Sequence, residues 1–339
     1  MGKLYDVYGL GNAIVDIELR VSDDELLMLG LKKGLMEFAT HEEQEHVIQL
    51  LKAHVKNEAA GGSTANTMVG VAKFGGSPCF IGKVGSDGNG NLYKESLKKN
   101  GVEYSTESAS GPTGTCCVLV TPDGERTMLT FLGVSTEIGP EDINESGILN
   151  SRLVYIEGYM WGSDKTRLAA NHVINIARSN NIPIALSLSD PGFVSLFADE
   201  FKQIVINSID IIFCNEHEAA IYSNVDQESG DEKSNRELSL SKLGLDCDLV
   251  FMTCGASGAY ISNRGRQEFV NARPVSAIDS TGAGDAFAAG TIFGLVNGES
   301  PEDAAKLGSY AAALVVQNFG PRVSESLINK KDEILKSSA

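Results

Sequence analysis

Short apolar runs alternate with amphipathic stretches along most of the chain. The runs span residues 5–10, 78–84, 153–157, 183–188, 210–214 and 249–253. They are too short for helices and too uniformly apolar for half-exposed strands, which is typical of buried parallel strands. The stretches between them predict helices, as in residues 41–55, where Val47, Leu51 and Val55 share one face. The pattern predicts an α/β fold with a doubly wound, mostly parallel sheet flanked by helices.

Two segments interrupt this alternation, residues 14–39 and 112–136. They lack a clear helical pattern and contain strand-like stretches such as TCCVLVT and RTMLTFLGV, which flank a Pro-Asp-Gly turn at 122–124. We expect these segments to form a small antiparallel β lid. Residues 1–13, 40–111 and 137–339 then form the large α/β domain.

Composition narrows the class of protein. The 339 residues are 42% hydrophobic and 22% charged, as in ordinary globular proteins. The 45 acidic and 28 basic side chains give a net charge of −17, which disfavours nucleic acid and membrane surfaces as partners. The sequence has no long apolar run and no signal-peptide pattern, so we expect a cytoplasmic protein. The oligomeric state stays open between a monomer and a homodimer.

Polar residues follow several of the predicted strands. In an open parallel sheet, ligands bind at the carboxyl ends of the strands. Any one of these residues is compatible with ordinary loop polarity, but the set indicates a site at this edge. Its members are Asn12, Asp16, Glu157, Asn215, Glu218 and Thr253.

The loop AGGSTAN at residues 60–66 precedes a predicted helix that extends to Phe74. Its glycines allow a ligand to approach the backbone, Ser63 is suited to cap the helix, and Asn66 is suited to face the crevice. No Gly-Lys-Ser/Thr follows, so this is not a Walker loop. Gly9 and Gly11 do not continue into a dinucleotide-binding fingerprint.

The stretch DSTGAGDAF at residues 279–287 places small residues at the start of a predicted helix, Asp285 to Val296. Gly282, Ala283 and Gly284 leave backbone N–H groups unshielded where the helix dipole is positive, an arrangement that binds anionic oxygens. Asp285 is then placed to accept a proton from an attacking hydroxyl group during phosphoryl transfer. The alternative is a helix-capping aspartate after a glycine turn.

Two stretches resemble signatures of the ribokinase family of sugar and nucleoside kinases. DSTGAGDAF resembles its second signature, and AGGSTANTMVGVAKFGG at 60–76 resembles its first. The elements between them follow the family order, including Asn-x-x-Glu at 215–218 and Thr-x-Gly at 253–255. The resemblance implies a ribokinase-like fold and an ATP-dependent kinase that uses Mg²⁺ and phosphorylates a hydroxyl group of a small molecule.

The resemblance also implies roles for single residues. Asp285 corresponds to the catalytic base, and Gly282, Ala283 and Gly284 to the anion hole. Glu218 is expected to hold Mg²⁺ through water, Asp279 and Thr281 correspond to a potassium site found in many members, and Arg126 of the lid is expected to contact phosphates. The residues expected to bind ATP are Asn215, Thr253, Gly255, Gly258 and Asn318.

Substrate specificity is less clearly indicated. Asp16 is suited to accept hydrogen bonds from two vicinal sugar hydroxyls. The full set of expected substrate-binding residues is Asn12, Asp16, Gly62, Ser63, Asn66, Glu157 and Tyr159. GNAIVDI, AAGGSTAN and GTCCVLVT are most similar to the adenosine kinases of the family. Candidates for an apolar slot around a purine base are Leu35, Met36, Phe38, Cys116, Leu132, Tyr159 and Phe193.

One residue departs from the adenosine kinase pattern. Glu157 stands where sugar-specific members often place an acidic or amide residue. A kinase for ribose, fructose or a ketodeoxy sugar acid therefore stays as the alternative to phosphorylation of the 5′-hydroxyl of adenosine. A nucleoside-binding sensor without turnover is a third hypothesis, against which the intact GAGD stretch argues.

Overall fold

A computed structural model of the protein describes residues 2–227 and 231–337. The strands are β1 Val7–Leu10, β2 Ile14–Arg20, β3 Met36–Phe38, β4 Val55–Ala60, β5 Pro78–Ile81, β6 Glu103–Tyr104, β7 Gly114–Val120, β8 Arg126–Phe131, β9 Val154–Glu157, β10 Ile184–Ser187, β11 Ile211–Asn215, β12 Leu249–Thr253, β13 Gly258–Asn263 and β14 Arg266–Asn271. The helices are α1 Asp23–Met28, α2 His41–Leu50, α3 Ser63–Lys73, α4 Gly88–Lys99, α5 Glu145–Leu149, α6 Asp164–Ser179, α7 Pro191–Leu196, α8 Ala198–Ser208, α9 Glu216–Tyr222, α10 Glu232–Asp246, α11 Ala283–Val296, α12 Pro301–Val316 and α13 Lys331–Ser337.

The larger sheet has the strand order β14-β13-β12-β11-β10-β9-β1-β5-β6. The strands from β12 to β6 run parallel, and this set includes all six strands predicted from apolar runs. The antiparallel hairpin of β13 and β14 extends one edge and was not predicted. The predicted α/β fold with a mostly parallel sheet is confirmed.

Both faces of the larger sheet are covered by apolar clusters. Because side chains alternate between the two faces along β1, Tyr8 and Leu10 belong to the cluster beneath α6 and α8. Val7 belongs to the other cluster, beneath α3 and α11. All six cysteines are free and buried. None of the helices described here is long and apolar enough to cross a membrane.

The smaller sheet has the order β3-β8-β7-β2-β4. It has the expected antiparallel pair, β7 with β8, and in addition an antiparallel pair of β2 with β4 and two parallel pairs, β2 with β7 and β3 with β8. Strand β4 falls in the range 40–111, which the sequence division assigned to the large domain. Helix α2 packs on this sheet through Val47, so the lid unit draws on more of the chain than predicted.

Helix α1 lies in segment 14–39, where no helix was predicted. A capping box stabilises it: the Glu25 N–H donates to the Ser22 hydroxyl (3.3 Å), and the Glu25 carboxylate accepts from the Ser22 N–H (2.7 Å). Its single buried side chain, Leu26, joins the apolar cluster of the lid. The expectation was wrong because a helix of six residues offers too little periodicity to be recognised.

Candidate active site

A cavity of about 160 Å³ opens at the carboxyl edge of the larger sheet, against the start of α11. It brings together six residues that were predicted from four separate parts of the chain: Ser63, Asn215, Glu218, Thr253, Gly284 and Asp285. Ser187, Ser189 and the aromatic rings of Tyr155, Phe213, Phe251 and Phe287 complete its wall. A crevice at strand ends beside a helix N-terminus is suited to bind an anionic group.

The start of α11 has the predicted open backbone. Gly282 is the N-cap with φ +76°, and a Cβ there would overlap the Pro321 carbonyl, so the loop requires glycine. A Cβ on Gly284 would meet no heavy atom within 4 Å, which leaves space for a ligand. The Ala283 N–H donates to the Ser280 carbonyl (3.2 Å), so this amide of the predicted anion hole is engaged within the loop.

Asp285 is held by two side chains of α3. The Ser63 hydroxyl donates to Oδ1 (2.6 Å), and the Asn66 amide donates to Oδ2 (3.0 Å). Burial raises the pKa of Asp285 above its ordinary value, although these hydrogen bonds and the charge of Arg322 oppose the shift. A raised pKa strengthens the carboxylate as a base. Ser63 does not cap α3 as expected, because Gly62 with φ +88° is the N-cap.

Arg322 was not singled out from the sequence. Its Nε donates to Asn66 Oδ1 (2.8 Å) and its Nη1 to the Ser96 hydroxyl (3.0 Å), whereas its Nη2 is buried without a hydrogen-bond partner. Thus Arg322 lies behind the residue that contacts the predicted base. Arg322 follows Gly320 and Pro321 and belongs to no motif. Its only indication in the sequence was its nearness to residues expected beside the potassium site.

Glu157 is almost fully buried, with 1% exposure, and both its oxygens are engaged. Oε1 accepts from the Asn12 N–H (2.8 Å), while Oε2 accepts from the N–H and the hydroxyl of Thr64 (2.9 Å each). Burial raises its pKa to about 7 despite these bonds. Glu157 therefore joins the loop after β1 to the start of α3, and its expected contact with substrate stays a prediction. Thr64, its partner, was also missed.

Asp16 lies on the lid face that carries an apolar cluster. Strand alternation places it on the same face as Ile14, and it is in register with Cys116 of β7. Ile14, Cys116 and Val118 form that cluster together with Leu132. Burial raises the pKa of Asp16 to about 7, and the charges of Arg322 and Arg126 oppose this shift.

The other candidates for the slot around a purine base differ in their surroundings. Tyr159 and Phe193 make an edge-to-face contact with ring centroids 5.1 Å apart, and the Tyr159 hydroxyl donates to the Ser189 carbonyl (3.3 Å). Ser189 lines the cavity, whereas Tyr159 and Phe193 do not. Leu35 and Phe38 are more than half exposed, at 52% and 55%.

Three of the residues expected to bind ATP and Mg²⁺ line the cavity, namely Asn215, Glu218 and Thr253. Asn215 and Glu218 form a capping box for α9, in which the Asn215 N–H and Nδ2 donate to the Glu218 carboxylate (2.9 and 2.7 Å). Burial raises the pKa of Glu218 to about 7. Residues 2–227 and 231–337 contain no cluster of three metal-ligating side chains. Glu218 at the cavity fits Mg²⁺ held mainly by water and substrate phosphates.

Three further residues expected at the ATP site do not line this cavity. Gly255 is open to space, with φ +53°. Gly258 is required by the β13–β14 hairpin, because a Cβ there would overlap the Val270 carbonyl. The Asn318 amide donates to the Leu314 carbonyl (2.9 Å) at the end of α12. Their contact with ATP stays a prediction.

Asp279 and Thr281, the residues expected at a potassium site, contact each other. Asp279 Oδ1 accepts from the Thr281 N–H (3.0 Å), and Oδ2 accepts both from the Gly320 N–H (2.9 Å) and from the Arg126 guanidinium. Arg126, expected to contact phosphates, thus supplies a positive charge beside Asp279. The carboxylate expected beside potassium therefore already has a cationic partner, and potassium binding at this loop stays a prediction.

Comparisons with known proteins agree with the geometry. Residues 26–327 match the model of the pfkB family of carbohydrate kinases. A probable sugar kinase from Rhizobium etli CFN 42 has 34% identity and a TM-score of 0.89, with 98% of this chain and 99% of that chain covered. The adenosine kinase from Sinorhizobium meliloti has 34% identity and a TM-score of 0.87, with 97% and 99% covered.

A curated relative extends the likeness to plants. Adenosine kinase 2 of Arabidopsis thaliana is 26% identical over 330 residues, which cover 92% of this chain and 94% of the relative. The chain therefore belongs to the pfkB family of carbohydrate kinases and is a phosphotransferase that acts on a hydroxyl group.

Proposed function

We propose that this protein is an adenosine kinase, which transfers the γ-phosphoryl group of ATP to the 5′-hydroxyl of adenosine. The observation that carries the proposal is that the protein has both Asp285 at the cavity and a lid face around Asp16. Asp285 supplies a base beside an open helix N-terminus. Asp16 is a carboxylate set in an apolar surface, which suits a molecule with vicinal hydroxyls and an apolar ring.

The lid face supports a nucleoside more than a free sugar. A sugar presents hydroxyl groups around its whole ring, and each hydroxyl needs a polar partner when it is buried. The apolar cluster on the Asp16 face of the lid contains Ile14, Cys116, Val118 and Val120, with Met128 and Leu132 packed against it, and the polar Thr130 on this face donates its hydroxyl to Cys116. Apolar and sulfur-bearing side chains of this kind pack well on a purine base.

Each part of the reaction is assigned to residues of this chain. Asp16 orients the ribose by accepting hydrogen bonds from two of its hydroxyls. Asp285 is to accept the proton of the attacking hydroxyl, because its two carboxylate oxygens lie at the cavity and burial raises its pKa. Gly284 leaves the first turn of α11 open, so its backbone N–H groups are to stabilise the negative charge on the transferring phosphoryl group.

Mg²⁺ bound with ATP would neutralise phosphate charge, and Glu218 is the residue suited to hold its water shell. The lid is to exclude water when it closes. Arg126 places the lid against the loop that precedes α11, since its guanidinium contacts Asp279. Closure of the lid and order of the anion-binding loop are thereby linked.

A sugar kinase is the second candidate. The likeness to the probable sugar kinase of Rhizobium etli favours it, because that structure matches this chain at the same identity as the adenosine kinase does. Asp16 is suited to the vicinal hydroxyls of ribose as well as to those of a nucleoside.

Steady-state kinetics with ATP and a panel of adenosine, guanosine, ribose, fructose and a ketodeoxy sugar acid separates the two candidates. We expect kcat/KM for adenosine to exceed that for each free sugar by at least about 100-fold. Phosphorus NMR of the product should show a 5′-phosphate. A preference for any free sugar would reject the adenosine kinase assignment.

A further inference from the structure

We propose that Arg322 is a positioning residue, which fixes the Asn66 amide and through it the Asp285 carboxylate. The inference rests on the proposed role of Asp285 as the base. It concerns a residue that contacts the base only through another side chain.

The geometry forms a continuous chain of hydrogen bonds. Arg322 Nε donates to Asn66 Oδ1 (2.8 Å), and Asn66 Nδ2 donates to Asp285 Oδ2 (3.0 Å). An amide has an acceptor at one end and donors at the other. A guanidinium has only donors, so contact with Arg322 forces the oxygen of Asn66 toward it and the amide nitrogen toward Asp285.

Arg322, the first residue in this series of hydrogen bonds, is itself held in place. Arg322 Nη1 donates to the Ser96 hydroxyl of α4 (3.0 Å), and Asn66 itself is 6% exposed. Arg322 thereby ties the loop after α12 to α3 and α4. Since its planar group makes both bonds at once, a shift of Arg322 would also turn the Asn66 amide.

The charge of Arg322 acts on the same carboxylate. It lowers the pKa of Asp285 against the larger effect of burial. The other titratable groups that face Asp285 carry no positive charge. They are Asp16 of the lid, Tyr155, Glu157 and Tyr159. Among these groups Arg322 is therefore the one whose charge favours the ionised form of Asp285, and it adds to the hydrogen bonds from Ser63 and Asn66.

The experiment compares Arg322→Met, Arg322→Lys and Ser96→Ala in the full chain. Carboxyl carbon NMR of ¹³C-aspartate-labelled protein, assigned against Asp285→Asn, gives the pKa of Asp285 without any substrate. We expect Arg322→Met to raise this pKa by about one unit and to lower kcat by about 10- to 100-fold. The acidic limb of the kcat profile should move to higher pH by the same amount.

The lysine variant separates charge from orientation. Arg322→Lys should raise the pKa less than Arg322→Met does, yet still lower kcat, because an ammonium group lacks the planar fork that contacts Asn66 and Ser96 together. Ser96→Ala removes a contact that holds the guanidinium but keeps its charge, so it should leave the pKa near its wild-type value and lower kcat less than Arg322→Met does.

A double-mutant cycle tests the route through Asn66. If Arg322 acts through this amide, Asn66→Ala combined with Arg322→Met should lower kcat about as much as Asn66→Ala alone. Three results would each overturn the proposal. They are effects of the two substitutions on kcat that multiply, an Asp285 pKa that is unchanged in folded Arg322→Met, and a loss of kcat in Ser96→Ala equal to that in Arg322→Met. A protein that rejects adenosine but keeps the NMR shift would refute the proposed substrate and leave this inference standing.

Discussion

Asp16 is the substrate-binding candidate whose charge changes within the physiological pH range. Burial raises its pKa to about 7, so below that value the protonated form predominates. A protonated carboxyl accepts hydrogen bonds from two hydroxyls less well than a carboxylate does. Substrate affinity should therefore depend on the ionisation of this one side chain.

We predict that the Kd for adenosine, measured by calorimetry, falls by about tenfold between about pH 6 and pH 8, as the ionised fraction of Asp16 rises. Asp16→Asn should bind more weakly and show no such dependence. Glu157 and Glu218 also have pKa values near 7, and the variant separates their effects from that of Asp16. A pH-independent Kd in the wild-type protein would contradict the assigned role.

Gly284 offers a second test at the scale of one residue. A methyl group there meets no protein atom within 4 Å, but it would occupy the space left for the phosphoryl group. Gly284→Ala should lower kcat/KM by at least about tenfold and leave Tm unchanged. Gly88→Ala is the matched control, since Gly88 also lies in open space in the first turn of a helix. Equal activity of both variants would remove Gly284 from the anion site.

Residues in contiguous motifs could be predicted, and residues that act from a distance could not. Asp285 and Gly284 lie in one nine-residue stretch whose chemistry is readable from spacing. Arg322 is 256 residues from Asn66 along the chain, and only the fold brings them together. Glu157 was expected to bind substrate because it follows a strand at the edge of the site, and its hydrogen bonds with Asn12 and Thr64 could not be predicted from the sequence.

The lid contacts the catalytic domain through an ion pair at the element scale. Arg126, the first residue of β8, contacts Asp279 three residues before Gly282. Both side chains are largely buried, at 16% and 3% exposure, so this pair is shielded from solvent. A shielded pair is costly to break when only one partner is removed.

We predict that this guanidinium makes the enzyme insensitive to potassium. Replacing K⁺ by tetramethylammonium should change kcat of the wild-type protein by less than about twofold. Arg126→Gln should lower kcat and make it respond to K⁺, because Asp279 then lacks its cation. Arg20→Gln is the control, since Arg20 is a lid arginine that lies over the Phe319 ring without contacting Asp279. Strong activation of the wild-type protein by K⁺ would contradict this account.

Most strands of the large sheet could be predicted from the sequence, whereas the strands of the lid could be predicted only in part. Six buried strands are uniformly apolar and are confirmed. Strand β4, VKNEAA, is polar at several positions, and its pairing with β2 is a non-local choice that no turn signal indicates. The parallel pairs of the lid are likewise set by tertiary packing, because each joins strands separated by long stretches of chain.

At the scale of the whole molecule, buried acids determine how stability varies with pH. Asp16, Glu157 and Glu218 have folded-state pKa values raised to about 7, whereas in the unfolded chain they titrate near 4. Between these values the folded state binds more protons than the unfolded state does. The stabilising effect of these groups is therefore present below about pH 4 and is lost as pH rises through about 7.

We predict that the free energy of unfolding falls between about pH 5.5 and 7.5, by up to about 1.4 kcal/mol per pH unit for each such group. The net charge of −17 acts in the same direction, since repulsion grows as acids ionise. Urea denaturation at constant ionic strength measures this, and Asp16→Asn should show a smaller decrease than the wild-type protein. Greater stability at the higher pH would contradict the assigned burial of these acids.

The most direct test of the central claim is the turnover of Asp285→Asn compared with its ligand affinity. The claim predicts that kcat falls by at least about 1,000-fold, while the Kd values for adenosine and ATP change only a few-fold. Asp190→Asn is the matched control, because Asp190 caps α7 through the Gly192 and Phe193 N–H groups (2.7 and 3.1 Å) and should keep its activity. Turnover of Asp285→Asn within tenfold of the wild-type value would contradict the account and leave Asp285 a structural residue that joins α11 to α3.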